Sequence, residues 1–108
     1  MIRLRTGIAG ATIATLLLGG CAVERLHQQG LDAIQQGRYE AGVDDLAQAA
    51  QRDPSNLTYR LDLQTQRDAS VQKLIALADA ARGAGRLEEA AATYRRVLAI
   101  DSANDRAA

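Results

Sequence analysis

The chain has no Trp and no Phe, a single Pro (Pro54), a single His (His27) and a single Cys (Cys21). Each scarcity excludes something. Without Trp or Phe, and with only three Tyr, a sandwich or barrel core has few large aromatics to draw on, and abundant Ala favours helices instead. One Cys excludes an internal disulfide framework and any Cys-based zinc site. Charge of one sign is also missing: 13 basic residues face 13 acidic ones. Neutralising phosphates needs a basic excess, so nucleic-acid binding is excluded. At 108 residues the chain holds at most one small domain with a modest core.

What is present begins with an address. Met1-Ile2-Arg3-Leu4-Arg5 is basic and carries no acid. An apolar run, Gly7 to Leu18, follows and is short of the ~20 residues a membrane-spanning helix needs. The length and the basic flank predict a secretory signal peptide over 1–20; a short anchor that is never removed is the alternative. Leu18-Gly19-Gly20-Cys21 resembles the bacterial lipobox, in which Leu and two small residues precede an obligatory Cys. The resemblance implies signal-peptidase recognition at Leu18, Gly19, Gly20 and Cys21, a diacylglyceryl group on the Cys21 thiol, and cleavage before it. Residues 21–23 would then be the lipidated Cys and a short tether. A free thiol or an intermolecular disulfide are the other readings of Cys21. Several acyl chains, at about 0.8 kcal/mol per buried CH2, make attachment effectively permanent. Ala22, where Asp would retain a lipoprotein in the inner membrane, implies the periplasmic face of the outer membrane.

Beyond Glu24 the pattern is helical. Leu26, Gly30, Ala33 and Ile34 share one helix face, and Gly37 can end that helix as a left-handed cap. Tyr39, Val43, Leu46, Ala47 and Ala50 mark a second face, stopped by Asp53-Pro54-Ser55-Asn56. The plan recurs. Leu74, Leu77, Ala78 and Ala81 form one face, Gly83 and Gly85 break it, and Leu87, Ala90, Ala91, Tyr94, Val97 and Leu98 form the next. Gly37-Arg38-Tyr39-Glu40 aligns with Gly85-Arg86-Leu87-Glu88.

These paired faces resemble the tetratricopeptide repeat (TPR), a 34-residue helix–turn–helix unit in which small residues let neighbouring helices approach. The expected fold is all-α: TPR-like hairpins at 24–56 and 71–104, a helical extension at 57–70, and a tail at 105–108. Gly42 departs from the expected Ala, at roughly 1 kcal/mol of helix propensity. Leu57 to Ser70 contains no Gly or Pro, so one helix is expected from about Leu57 to Arg82, with a polar, exposed centre at Gln64 to Asp68. A break at Asp68-Ala69-Ser70, with Ser70 capping a separate helix, is the alternative.

The resemblance implies a concave groove for partner peptides or helices, lined by His27, Leu31 and Ile34 in the first repeat and by Gln72, Ile75, Asp79 and Arg82 in the second. The order of lipoprotein signal, repeat, long helix and repeat is similar to the N-terminal segments of lipoprotein secretins of type II secretion and type IV pilus systems. It implies envelope partners and that the sequence is the N-terminal part of a longer chain, since another helix would begin at Arg106-Ala107-Ala108. The alternative is a structural tether or a homo-oligomerisation module without a groove of its own. No convergent set of reactive groups appears, so an enzyme, a metal site, a cofactor other than the lipid on Cys21 and a small-molecule substrate are not expected. His27 lacks a second His or a Cys partner, and Arg95 with Arg96, like Glu88 with Glu89, reads as a solvated face.

Overall fold

The computed structural model describes residues 20–108. The basic start, the apolar run, Leu18 and Gly19 lie outside the described residues. Among the described residues four helices follow one another: α1 over residues 20–35, α2 Tyr39–Arg52, α3 Leu57–Gly83 and α4 Leu87–Ile100. Among the described residues there is no strand, and no helix is long and apolar enough to cross a membrane. The chain is all-α, built of TPR-like helical hairpins. Residues 21–23, expected as the lipidated Cys and a short tether, are helical and belong to the start of α1.

The two hairpin turns are built alike. Gly37 and Gly85 take φ of 78° and 80°, a left-handed conformation that costs a side-chain-bearing residue 1–2 kcal/mol or so and a glycine nothing. In the first turn Arg38 N–H donates to the Ala33 carbonyl at 2.9 Å and Gly37 N–H to Ile34 at 3.0 Å. In the second, Arg86 donates to Ala81 at 2.9 Å and Gly85 to Arg82 at 3.1 Å. Both pairs are Schellman bonds that satisfy the orphan carbonyls of a helix end. Gly83 is therefore not a breaker but the last residue of α3; the left-handed Gly85 ends the helix.

The turns after α2 and α4 also match. Asp53, the residue before Pro54, leaves the helical region at φ −132°, ψ 72°. Asn56 then caps α3, its side-chain oxygen accepting from Tyr59 N–H at 3.1 Å. Asn104 repeats this, accepting from Ala107 N–H at 3.1 Å. Gly37 and Gly85, Asp53 and Asp101, Asn56 and Asn104, and Tyr59 and Ala107 all stand 48 residues apart. The chain thus repeats at 48 residues, and residues 57–70 are the first half of the second unit's long helix.

That helix is continuous over 27 residues, about 40 Å at 1.5 Å per residue. Ser70 does not cap a separate helix. It lies mid-helix, 1% exposed, with no hydrogen-bond partner for Oγ. The first half of α3 lies against α1 and α2, and the second half pairs with α4, so one helix serves both hairpins. The core joins Tyr39 of α2, Val71, Leu74 and Ile75 of α3, and Val97 of α4, with Ile34, Ile100 and Ala107 packed against it. Small residues set the helix spacing: Ala33, Ala49, Ala78, Ala81 and Ala90 are all buried. At the crossing of α1 and α2 the backbones approach closely. A methyl group on Gly30 would sit 2.9 Å from the Gly42 carbonyl oxygen, and one on Gly42 would sit 2.8 Å from that of Gly30. Gly42 is therefore a requirement of this crossing, and its helix-propensity cost secures the approach.

Candidate partner-binding surface

The seven residues expected to line one groove occupy three different settings. His27 faces α3. Its ring lies 4.4 Å from that of Tyr59, at 26° between planes, and its Nε2 is 2.8 Å from the Asp62 carboxylate. His27 is thus an inter-helix contact, its side chain only 12% exposed, and not part of an open groove. Burial lifts the Tyr59 phenol above its ordinary value, and the carboxylates of Glu24 and Asp53 push the same way. Leu31 is half-buried. Ile34 is half-buried against the core and lies beside Gln66, Ala69 and Ser70 of α3. The face of α1 that was expected to bind partners is therefore occupied by the first half of α3, which the alignment of two shorter repeats left over as an extension.

In the second unit, Ile75 is 4% exposed and part of the core, which removes it from any groove. It is buried in the cluster that joins Tyr39 of α2 and Val97 of α4 to α3. Gln72 is exposed, near Asp101 and Asn104. Asp79 and Arg82 remain on the surface as parts of a polar cluster. The Tyr94 hydroxyl donates to Asp79 Oδ1, Arg106 Nη2 donates to Oδ2 at 2.6 Å, and Arg82 stands 3.8 Å away. The hydrogen bond from Tyr94, then the charges of Arg106 and Arg82, hold the Asp79 carboxyl below the usual carboxylate range. The same bond to Asp79, aided by burial, raises the Tyr94 phenol. Arg82 also lies 5.9 Å from the centre of the Tyr94 ring, within cation–π range.

Sequence periodicity missed three of these participants. Tyr94 reads as one more apolar position on α4, and only its phenolic oxygen, out of keeping with a wholly apolar stripe, hinted otherwise. Arg106 lies in the tail. Arg96, expected on a solvated face with Arg95, instead crosses to α2 and pairs with Glu40 at 2.8 Å. Arg95 and Glu88 are exposed, and Glu89 pairs with Arg86 at 2.7 Å on the surface. Cys21 is exposed on α1. Among the described residues there is no group of three or more His, Cys, Asp or Glu that could hold a metal ion.

Paired antiparallel helices, turned by left-handed glycines and repeated along the chain, define a helical-repeat protein. A tetratricopeptide repeat family model matches residues 74–104, the second half of α3 with α4 and its closing turn. Comparison with curated proteins and with solved structures returns no match. Repeats of this family are typically non-catalytic scaffolds that bind other proteins.

Proposed function

We propose that this chain is a protein-interaction scaffold held at the periplasmic face of a bacterial outer membrane by lipid on Cys21. The observation that carries the scaffold reading is the tetratricopeptide repeat at residues 74–104. Support for the anchor comes from the lipobox-like Leu18-Gly19-Gly20-Cys21 at the end of an apolar run, and from the exposure of the Cys21 thiol. The partners on this reading are envelope proteins. The order of lipoprotein signal, repeat, long helix and repeat, similar to the start of lipoprotein secretins, makes secretion or type IV pilus machinery the first candidate.

Metabolic labelling with an alkyne fatty acid tests the anchor. The wild-type chain should take up label and fractionate with outer membranes, and Cys21→Ser should do neither. An unlabelled thiol in the wild type would sink it. Capture of envelope proteins from solubilised membranes tests the scaffold. A second reading, a structural tether without a groove of its own, is favoured for the first unit by one observation: α3 already covers the α1 face that would otherwise bind.

A further inference from the structure

An anchor at Cys21 would have no slack. The chain is already helical at Gly20, so no loop separates Cys21 from the body of the protein. After two reversals of direction, α3 runs alongside α1 and parallel to it. His27 stands level with Tyr59 and Asp62, and Ile34 with Gln66 and Ser70. At 1.5 Å per residue, this register sets the turn of Pro54 at the level of Cys21, Leu57 about 4 Å above it and Leu61 about 10 Å above it.

Leu57 and Leu61 are 58% and 52% exposed, one turn apart on the face of α3 opposite to Tyr59 and Asp62, and so away from α1. Further along the same face come Gln64 and Asp68, both exposed, so the apolar stretch ends within two turns. A helix packed along α3, from a second copy or from elsewhere in the chain, would need a longer stripe. The lipid interface needs no more, since an apolar surface sinks only about 5–10 Å into the boundary of headgroups and acyl chains. The feature is particular to the unit beside Cys21: 48 residues on, the equivalent of Leu57 is Asp105, exposed and acidic. This end also carries Arg25, Arg52 and Arg60, all exposed, against the carboxylates of Glu24 and Asp53, so it does not repel anionic headgroups.

We propose that Leu57 and Leu61 rest in the lipid interface beside Cys21, so that the anchored protein stands end-on at the bilayer with α1 and α3 upright. The inference rests on the anchor reading and adds a second contact with lipid. Among the described residues no helix crosses a membrane, and this contact requires none, because two leucines near the anchor reach the interface alone. The acyl chains supply attachment; the leucines fix the angle. With α3 27 residues long and upright, its far end stands roughly 40 Å from the headgroups, which holds the repeat at residues 74–104 clear of the membrane.

The test uses the full chain purified from membranes and reconstituted in vesicles of phosphatidylethanolamine and phosphatidylglycerol. With Cys21 blocked by lipid, the single variants Leu57→Cys, Leu61→Cys and Asp68→Cys each take one environment-sensitive fluorophore. All three positions are exposed, so helical circular dichroism should be kept. Emission from Leu57→Cys and Leu61→Cys should shift to the blue, and lipids with a nitroxide near the headgroup should quench it several-fold more than at Asp68→Cys, about 20 Å above Cys21. Fluorophores at the two leucine positions that stay in water, on a chain whose Cys21 carries lipid by mass spectrometry, overturn the docking and leave the anchor reading intact. Equal quenching at Asp68→Cys overturns the upright stance. An unmodified Cys21 in the wild type overturns the anchor and the docking together. A blue shift at Leu57→Cys without vesicles, in a chain that also carries Cys21→Ser, overturns the proposal, because a second copy or another segment of the chain would then cover the leucines.

Discussion

Arg96 of α4 donates to Glu40 of α2 across 56 positions of sequence, with Nε 2.8 Å from Oε1 and Nη2 3.3 Å from Oε2. The same guanidinium donates to the Gly37 carbonyl at 3.1 Å and stands 5.7 Å from the centre of the Tyr39 ring. One side chain therefore ties the last helix of the second unit to the hairpin turn of the first. Repeats of this kind hold together only through neighbouring interfaces, so a tie across the junction acts on the cooperativity of the whole stack.

Both partners are well exposed, at 40% and 38% of their side chains, which limits the ion pair itself. A double-mutant cycle with Arg96→Ala and Glu40→Ala should give a coupling of about 0.5–1 kcal/mol in urea denaturation, shrinking as salt is added. Arg96→Ala alone should cost more than Glu40→Ala, because it also strips the Gly37 carbonyl and the Tyr39 ring of a partner. Arg96→Lys should recover only part of the loss, since an ammonium cannot reproduce the two-pronged geometry. Coupling indistinguishable from zero at low salt would refute the tie.

The crossing of α1 and α2 makes an opposite prediction to helix propensity. Propensity alone says that Gly42→Ala should stabilise by about 1 kcal/mol. The added methyl would instead lie 2.5 Å from Ile34 Cγ1 and 2.8 Å from the Gly30 carbonyl oxygen. Backbone cannot yield as a flexible side chain can, so a net loss of about 1–3 kcal/mol is expected from thermal or urea unfolding. In the second unit the equivalent pair is Ala78 and Ala90, both buried, so Ala90→Gly should also destabilise, there by loss of packing and propensity. A more stable Gly42→Ala protein would show that the helices do not approach as described.

The helices and their turns were legible because local signals mark them: Gly37 and Gly85 demand a left-handed backbone, Pro54 stops α2, and apolar spacing marks each buried face. The environment of the polar residues was not. His27 and Asp62 meet across 35 positions, and on a helical wheel a His that faces a neighbouring helix looks the same as one that faces water. Gly42 looked like a flaw because the residue it spares, Gly30, lies on another helix. Ile75 looked available because the alignment to shorter repeats placed it on a free face, while the cluster with Tyr39 of α2 and Val97 of α4 buries it. Spacing along one helix encodes which side is apolar; it does not encode which partner meets that side.

Ser70 is the one described buried side chain whose polar atom has no partner. Burying a hydroxyl without a hydrogen bond costs about 1–3 kcal/mol, and Ser is also a weaker helix former than Ala. Ser70→Ala should therefore raise stability by about 1 kcal/mol or more, with the helical signal unchanged. The equivalent position in the first unit is already Ala22. A destabilised Ser70→Ala protein would mean that Oγ has a partner in solution, such as a bound water.

The Asp79 and Tyr94 pair sets both ends of a stability profile against pH. The folded chain holds Asp79 as a carboxylate more readily than the unfolded chain does. Its contribution is thus fully present above the ordinary carboxylate range and disappears as pH falls through the lowered value. Tyr94 keeps its proton more tightly when folded, so its contribution is present below the ordinary phenol value and is lost as pH rises through the raised one. Tyr59 is raised as well, which means that Tyr94→Phe should remove only part of the alkaline loss. Asp79→Asn should flatten the acid limb and soften the alkaline one, because it withdraws the charged acceptor that holds the Tyr94 proton. Melting temperatures by circular dichroism across the acid and alkaline limbs measure both. An acid limb identical in wild type and Asp79→Asn would show that the cluster of Tyr94, Arg82 and Arg106 does not stabilise this carboxylate in solution.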